Sequence, residues 1–155
     1  MNIFRLLLAL SKSGLLSLSS VTKLTRAISN HGINLMALLD FAANKYGKKV
    51  ALIDDKFELT YSELLKDSMQ LSKCLKELYD IEPKQKIGLV CRNHALLVKS
   101  IFALSRLGVN IYLINAEIGK VQLQQLVDKH QFDLFIYDDY FTSFLKASDI
   151  KQSFT

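Results

Sequence analysis

The sequence has few of the residues that interrupt or crosslink a chain: one proline, six glycines, two cysteines and no tryptophan among 155 residues. Such a composition argues against a disordered or collagen-like chain. Cys74 and Cys91 form neither a CxxC motif nor a metal-ligand spacing, so we expect two reduced, buried thiols, with a reactive Cys91 as the alternative. Half of the residues are hydrophobic. This proportion and this length predict one packed domain.

Acidic residues are absent before Asp40. Four cations precede it: Arg5, Lys12, Lys23 and Arg26. We interpret residues 1–33 as a basic amphipathic leader and residues 34–155 as the folded domain. The leader predicts a helix that packs on the domain or lies in a membrane interface, where it would bind anionic lipid weakly. A mitochondrial transit peptide is the second interpretation, whereas a secretory signal is disfavoured.

The leader contains no apolar run near the roughly eighteen residues that a membrane-spanning helix needs. We therefore expect a cytoplasmic protein, either free or bound peripherally to a membrane. Beyond the leader the charges nearly balance, which argues against a nucleic-acid-binding domain, since such a domain concentrates basic residues on a folded face.

Residues 86–115 have the pattern of a complete strand, helix and strand unit. The apolar runs 87–91 and 111–114 predict strands that are buried on both faces. Between them, apolar residues recur at helical spacing, and Gly108 ends the helix. The predicted stripe consists of Leu97, Val98, Ile101, Phe102 and Ser105. Because strands joined by a helix are parallel, the predicted fold class is α/β with a layered parallel sheet.

Two shorter patterns precede this unit. Residues 35–46 predict an amphipathic helix whose stripe consists of Leu35, Leu38, Leu39, Ala42 and Tyr46. Residues 49–54 and 57–60 predict a hairpin with a turn at Asp54, Asp55 and Lys56. Thr60 and Glu63 have the spacing of a capping box, so we expect Glu63 to start a helix and not to act as a base. That helix runs to Tyr79, with a stripe of Leu64, Ser68, Leu71, Leu75 and Leu78.

The region after Asn115 repeats the alternation. A helix with Leu123, Leu126 and Val127 on one face precedes a strand at residues 133–137, which completes a βαβαβ pattern. Phe141, Phe144 and Leu145 then begin another apolar surface. We expect residues 149–155 to be frayed.

Polar residues follow each predicted parallel strand, at the edge where open parallel sheets bind ligands. They are Arg92, Asn93 and His94 after the first strand, Asn115 after the second, and Asp138 and Asp139 after the third. Structural roles are the alternative for each: Asn93 or His94 caps the next helix, Asn115 caps a helix or makes a turn, and the aspartates are solvated.

No residue is predicted to be catalytic, to bind a cofactor or to bind a metal. The three histidines, His31, His94 and His130, fall in separate elements without a nucleophile signature. No glycines are close enough together to form a phosphate-binding loop.

Two stretches resemble a known enzyme family. The tripeptide Arg92, Asn93 and His94 and the run SRLGVNIYLIN resemble the branch of the AMP-forming acyl-CoA synthetases that activates long-chain fatty acids. The run LTYSEL, preceded by VALID, resembles the first core motif of that adenylate-forming superfamily. The likeness extends over residues 34–140 and corresponds to the N-terminal subdomain.

The resemblance implies ATP, Mg²⁺ and CoA as cofactors and a fatty acid as substrate for a full-length member. The Ser/Thr/Gly-rich loop with its Lys, the adenine and carboxylate pocket and the C-terminal catalytic Lys of the family are not found in this chain. We therefore interpret the chain as a truncated ligase that is inactive alone, with an exposed sheet edge where further segments belong. The alternative is a stand-alone binding module that uses the leader to associate with a membrane or a partner.

Overall fold

The computed structural model describes residues 17–55, 58–144 and 153–154. In chain order, the elements are α1 (Leu18–His31), α2 (Leu35–Tyr46), β1 (Val50–Ile53), β2 (Glu58–Thr60), α3 (Tyr61–Tyr79), β3 (Lys86–Val90), α4 (Ala95–Leu107), β4 (Asn110–Leu113), α5 (Lys120–His130), β5 (Leu134–Tyr137), a 3-10 turn (Asp139–Phe141) and β6 (Ser153–Phe154).

The main sheet is parallel and has the strand order β4-β3-β5-β6. β3 is central: Ile87 is in register with Ile111 of β4 on one side and with Leu134 of β5 on the other. β1 and β2 form a separate antiparallel pair. The predicted α/β fold with a parallel sheet and a hairpin is therefore confirmed. Residues 149–155 were expected to be frayed, but Ser153–Phe154 forms β6 and pairs with β5. Residues 149–152 and 155 lie outside the described part.

The two faces of the sheet are covered by different helices. Ile87, Leu89 and Ile136 belong to a core cluster with residues of α3 and α4. Val90 and Phe135 belong to a second cluster with residues of α5. The chain thus passes from β3 to β4 through α4, which covers one face of the sheet. It then returns past β3 to β5 through α5, which covers the other face. The direction reverses between β3 and β5.

Gly88 allows the second layer to close on the sheet. A Cβ atom built on Gly88 would lie 2.7 Å from the ring of Phe135 on the neighbouring strand. Real Cβ contacts are not that short, so Phe135, which is fully buried, occupies space that only a glycine leaves open.

Helical spacing identified the helices but not all of their buried faces. Leu35, Leu38 and Leu78 were predicted to be inward and are exposed, by 43%, 55% and 71%. The deepest residues of α2 are Met36, Ala37, Leu39 and Asp40, and those of α4 are Ala95, Ser100, Ala103 and Leu104. The predicted α4 stripe is partly buried. Small residues lie deepest because α3 and α4 pack closely, and a search for large apolar residues overlooks them.

The described part of the leader packs on the domain. Ser20 and Ala27 of α1 are buried. Lys23 Nζ donates to the carbonyl oxygen of Asn44 at 3.1 Å, and His31 Nε2 lies 3.2 Å from Asp40 Oδ2. Residues 1–16 of the leader lie outside the described part. Among the residues that are described, no helix is long and apolar enough to cross a membrane.

Candidate functional site

The carboxyl ends of β3 and β5 are joined by one carboxylate. Asp138 Oδ2 accepts the backbone N–H of Arg92 at 2.8 Å and the Arg92 Nε–H at 3.3 Å. Asp138 Oδ1 lies 2.7 Å from His94 Nε2, and the Asp138 side chain is only 9% exposed. The structure thus places Arg92 and His94, both predicted candidates, on the same partner at the point where the sheet reverses direction. We refer to Arg92, His94 and Asp138 as the strand-end cluster.

Burial raises the pKa of Asp138, but the hydrogen bonds from the Arg92 amide, the His94 ring and the Arg92 guanidinium outweigh burial and leave the pKa lowered. Asp138 is therefore ionised at neutral pH. Because an ionised carboxylate can only accept hydrogen bonds, His94 carries a hydrogen on Nε2. The interpretation of Asp138 as a solvated loop residue is wrong, whereas Asp139 is exposed as expected.

The same carboxylate affects Cys91. Burial, followed by the charge of Asp138, raises the pKa of the Cys91 thiol to about 12. Cys91 is consequently protonated at neutral pH and unsuited to nucleophilic attack. Both cysteines are free, as expected, but Cys74 is exposed and not buried. Its place on the outer face of α3 explains the difference, because α4 covers only the opposite face of that helix.

The first amide of α4 is capped from a distance. His94 occupies the N-cap position but makes no side-chain capping bond. The N–H of Ala95 instead donates to Asp54 Oδ2, 41 residues earlier, at 2.6 Å. The expectation that Asn93 or His94 caps this helix is therefore not met. Sequence reasoning placed Asp54 in a turn and missed this role, because a contact over that separation leaves no local pattern.

Asn115 makes the predicted turn, since its Oδ1 accepts the N–H of Glu117 at 3.0 Å. It shares an open cavity of about 610 Å³ with Arg92 and Asn93. Its apolar lining includes Leu89, Cys91, Leu97, Ile101, Leu113 and Ile114. A second cavity of about 710 Å³ has Asn93, His94 and Asp138 in its lining. Three of the predicted candidates thus form the turn after β3, and the fourth, Asn115, lines a cavity with two of them.

Other charged groups also lie at this edge. A phosphate at a helix N-terminus needs free amides, but the carboxylate of Asp54 occupies the first amide of α4. Asp55, Asp138 and Asp139 line the same cavity. Arg92 and Lys99 line that cavity as well, so its lining carries charges of both signs. Within the described residues, no group of three or more His, Cys, Asp or Glu is arranged to hold a metal.

Comparison with known proteins identifies the family. Residues 39–153 match the family model described as AMP-binding enzyme. The chain belongs to this family. This AMP-binding chain is also 26% identical over 106 residues to a 3-oxocholest-4-en-26-oate--CoA ligase of Rhodococcus rhodochrous. The match covers 68% of this chain and 19% of the relative, so the AMP-binding chain spans about a fifth of that ligase.

Solved structures share its fold. An anthranilate CoA ligase in complex with anthranoyl-AMP has a TM-score of 0.71 at 18% identity, over 77% of this chain and 24% of that one. A benzoate CoA ligase from Burkholderia xenovorans has a TM-score of 0.70 at 18% identity, over 79% and 26%. The NpsA N-terminal subdomain from Klebsiella oxytoca has a TM-score of 0.69 at 17% identity, over 79% and 31%. The predicted resemblance to the N-terminal subdomain of adenylate-forming ligases is thereby confirmed.

Proposed function

We propose that this chain supplies the N-terminal part of an ATP-dependent ligase that activates a fatty acid. In that reaction the acid's carboxylate attacks the α-phosphorus of ATP and releases pyrophosphate, and the CoA thiol then displaces AMP from the acyl-adenylate. The observation that carries the proposal is the family match over residues 39–153. The fatty-acid class is supported by the resemblance of the turn at Arg92, Asn93 and His94 and of the following helix and strand to the long-chain branch.

We also propose that the 155-residue chain does not catalyse this reaction alone. The carboxylate of Asp54 occupies the first amide of α4, and the chain's six glycines are dispersed along the sequence. ATP, Mg²⁺ and CoA would then be held by parts of the ligase outside the fifth of its relative that this chain spans. The role of the strand-end cluster in this proposal is to hold the β3–α4 turn in one shape.

The test measures ATP and fatty-acyl adenylate binding by calorimetry, together with pyrophosphate release in the presence of palmitate, Mg²⁺ and CoA. We expect no heat of binding and no pyrophosphate from the 155-residue chain. Saturable ATP binding or turnover would overturn the proposal that the 155-residue chain is inactive alone.

A separate observation tests the family assignment of the parent enzyme. We expect the reading frame to continue beyond Thr155 into a Ser/Thr/Gly-rich loop that contains a Lys. A stop codon after Thr155, together with stable monomeric folding, would instead favour the stand-alone binding module.

A further inference from the structure

A groove of about 470 Å³ lies between α3 and α4. The last two residues of α4, Arg106 and Leu107, form one wall, and six residues of α3 between Met69 and Glu77 form the other. We call it the interhelical groove. The strand-end cluster lies at the opposite end of α4, about 20 Å away along a helix of 13 residues. A partner bound in the groove therefore leaves the strand edge free.

Arg106 is half-buried at the wall of this groove, and its guanidinium is unpaired. Among the described residues it takes part in no ion pair and no side-chain hydrogen bond. The last turn of a helix favours a cation, which explains a positive charge at this position but gives the guanidinium N–H groups no acceptor. A planar guanidinium matches a carboxylate through two parallel hydrogen bonds. Arg106 is thus placed to bind a carboxylate that enters the groove.

The other charges of the lining do not neutralise Arg106. Glu77 is the one acid that lines the groove, and its Oε1 lies 3.7 Å from Nζ of Lys73, four residues earlier on α3. Lys76 has no ion pair within the described part of the chain. With three cations and one acid, the lining has a net charge of +2, and two of its cations are available to an acidic partner.

The apolar part of the lining is small and divided between the two helices. It consists of Met69 on α3 and Leu107 on α4. An alkyl chain binds in a pocket that covers most of its surface, which two side chains cannot do. A bound helix requires less, because it inserts a few apolar residues at helical spacing. From Met69 to Glu77 the groove follows α3 for about 12 Å, or roughly two helical turns.

We propose that the interhelical groove binds an acidic amphipathic helix of a partner protein. The apolar stripe of that helix contacts Met69 and Leu107, and carboxylates beside the stripe pair with Arg106 and Lys76. A single-stranded nucleic acid fits less well, because the described lining offers no aromatic side chain on which bases could stack. This inference does not depend on the ligase chemistry proposed above.

The probe for this proposal is a fluorescein-labelled peptide of about 15 residues, with leucine at every third or fourth position and glutamate beside each leucine. Fluorescence anisotropy measures its binding to the full 155-residue chain. We expect saturable binding that weakens as salt is raised above about 0.1 M, because the charge pairs are partly exposed. The same peptide with glutamine in place of glutamate should bind about tenfold more weakly, since it lacks the charge-assisted hydrogen bonds.

The double variant Lys76→Gln and Arg106→Gln should bind the glutamate peptide about tenfold or more weakly than the unmodified chain. Its affinity for the glutamine peptide should change by less than about twofold, because that peptide does not pair with the two cations. The single variant Arg106→Lys keeps the charge but not the two parallel hydrogen bonds, so it should lose less affinity than the double variant.

The matched control is the double variant Lys66→Gln and Lys129→Gln, which removes one exposed cation from α3 and one from the last turn of α5. It should bind the glutamate peptide within about twofold of the unmodified chain. Circular dichroism checks that both double variants fold. An equal loss in the two would mean that net charge alone acts, and would overturn the groove. The absence of saturable peptide binding would also overturn the proposal, as would displacement of the peptide by palmitate or by a mixed-sequence DNA.

Discussion

At the scale of single residues, Asp138 determines the state of its neighbours. Its carboxylate orients Arg92 and His94, and it helps to keep the thiol of Cys91 protonated. A nearly buried carboxylate is costly unless hydrogen bonds satisfy it. Here the hydrogen bonds come from a backbone amide, a guanidinium and an imidazole, so the ends of β3 and β5 are fixed relative to each other.

We expect Asp138→Asn to lower the free energy of unfolding at pH 7 by about 1–3 kcal/mol, because the Arg92 amide and the His94 ring lose an ionised acceptor. The pKa of Asp138 is lowered in the folded state. Its stabilisation is therefore present above the unfolded pKa of about 3.9 and is lost as the pH falls through the lower folded pKa. Urea denaturation should show the difference between the two chains at pH 7 and a much smaller one below about pH 3.

Asp139→Asn is the control for this measurement, since Asp139 is exposed and adjacent in sequence. It should change the free energy of unfolding by less than about 0.5 kcal/mol. A deficit of Asp138→Asn that stays constant from neutral to acid pH would contradict the role of the ionised carboxylate.

At the scale of elements, local patterns predicted where the helices and strands lie. Contacts between residues far apart in sequence determined the cap of α4 and the buried faces of α3 and α4. The capping box at Thr60 and Glu63 was predicted from spacing, and both of its bonds are present, from the Glu63 N–H to Thr60 Oγ1 and from the Thr60 N–H to Glu63 Oε2. The cap of α4 comes from Asp54 in the hairpin, a contact that spacing does not encode. Of the buried serines of α3 and α4, Ser68 was predicted and Ser72 and Ser100 were not. Their burial depends on a neighbouring helix that packs closely against them, and spacing along the sequence does not encode that contact.

The cap from Asp54 predicts a measurable coupling between the hairpin and α4. We expect Asp54→Ala to lower the free energy of unfolding by about 0.5–2 kcal/mol, the range for loss of an N-cap. Asp54→Asn keeps an acceptor oxygen and should recover part of that loss. Thermal or urea denaturation monitored by circular dichroism measures both.

The neighbouring Asp55→Ala serves as the control, because Asp55 is exposed and next to Asp54 in the same loop. If it destabilises the chain as much as Asp54→Ala does, the loop charge and not the cap is responsible, and the assignment of Asp54 fails.

At the scale of the whole molecule, the sequence predicted parallel strands and a hairpin but not the order of the strands. The order depends on the chain returning from β4 past β3, so that β5 pairs with β3 on the side opposite β4. Buried residues such as Phe135 against Gly88 stabilise that arrangement. The same reversal explains why Arg92 and Asp138 meet although 46 positions separate them. The sequence predicted which residues follow each strand, whereas the strand order determines which of them meet.

The strand order also predicts how isolated chains behave. Among the described strands, β4 has a neighbour on one side only, and Leu113 at its end is 62% exposed. Because unpaired strand edges with exposed apolar residues recruit further chains, we expect the 155-residue chain to self-associate as its concentration rises. Leu113→Lys should shift sedimentation velocity profiles toward the monomer, since a charge at an edge opposes pairing, whereas Leu78→Lys, on the 71% exposed Leu78 of α3, should leave them unchanged. A clean monomer of the unmodified chain at high concentration would show that this edge is already protected, and would remove the physical basis for proposing that further segments of a ligase pack there.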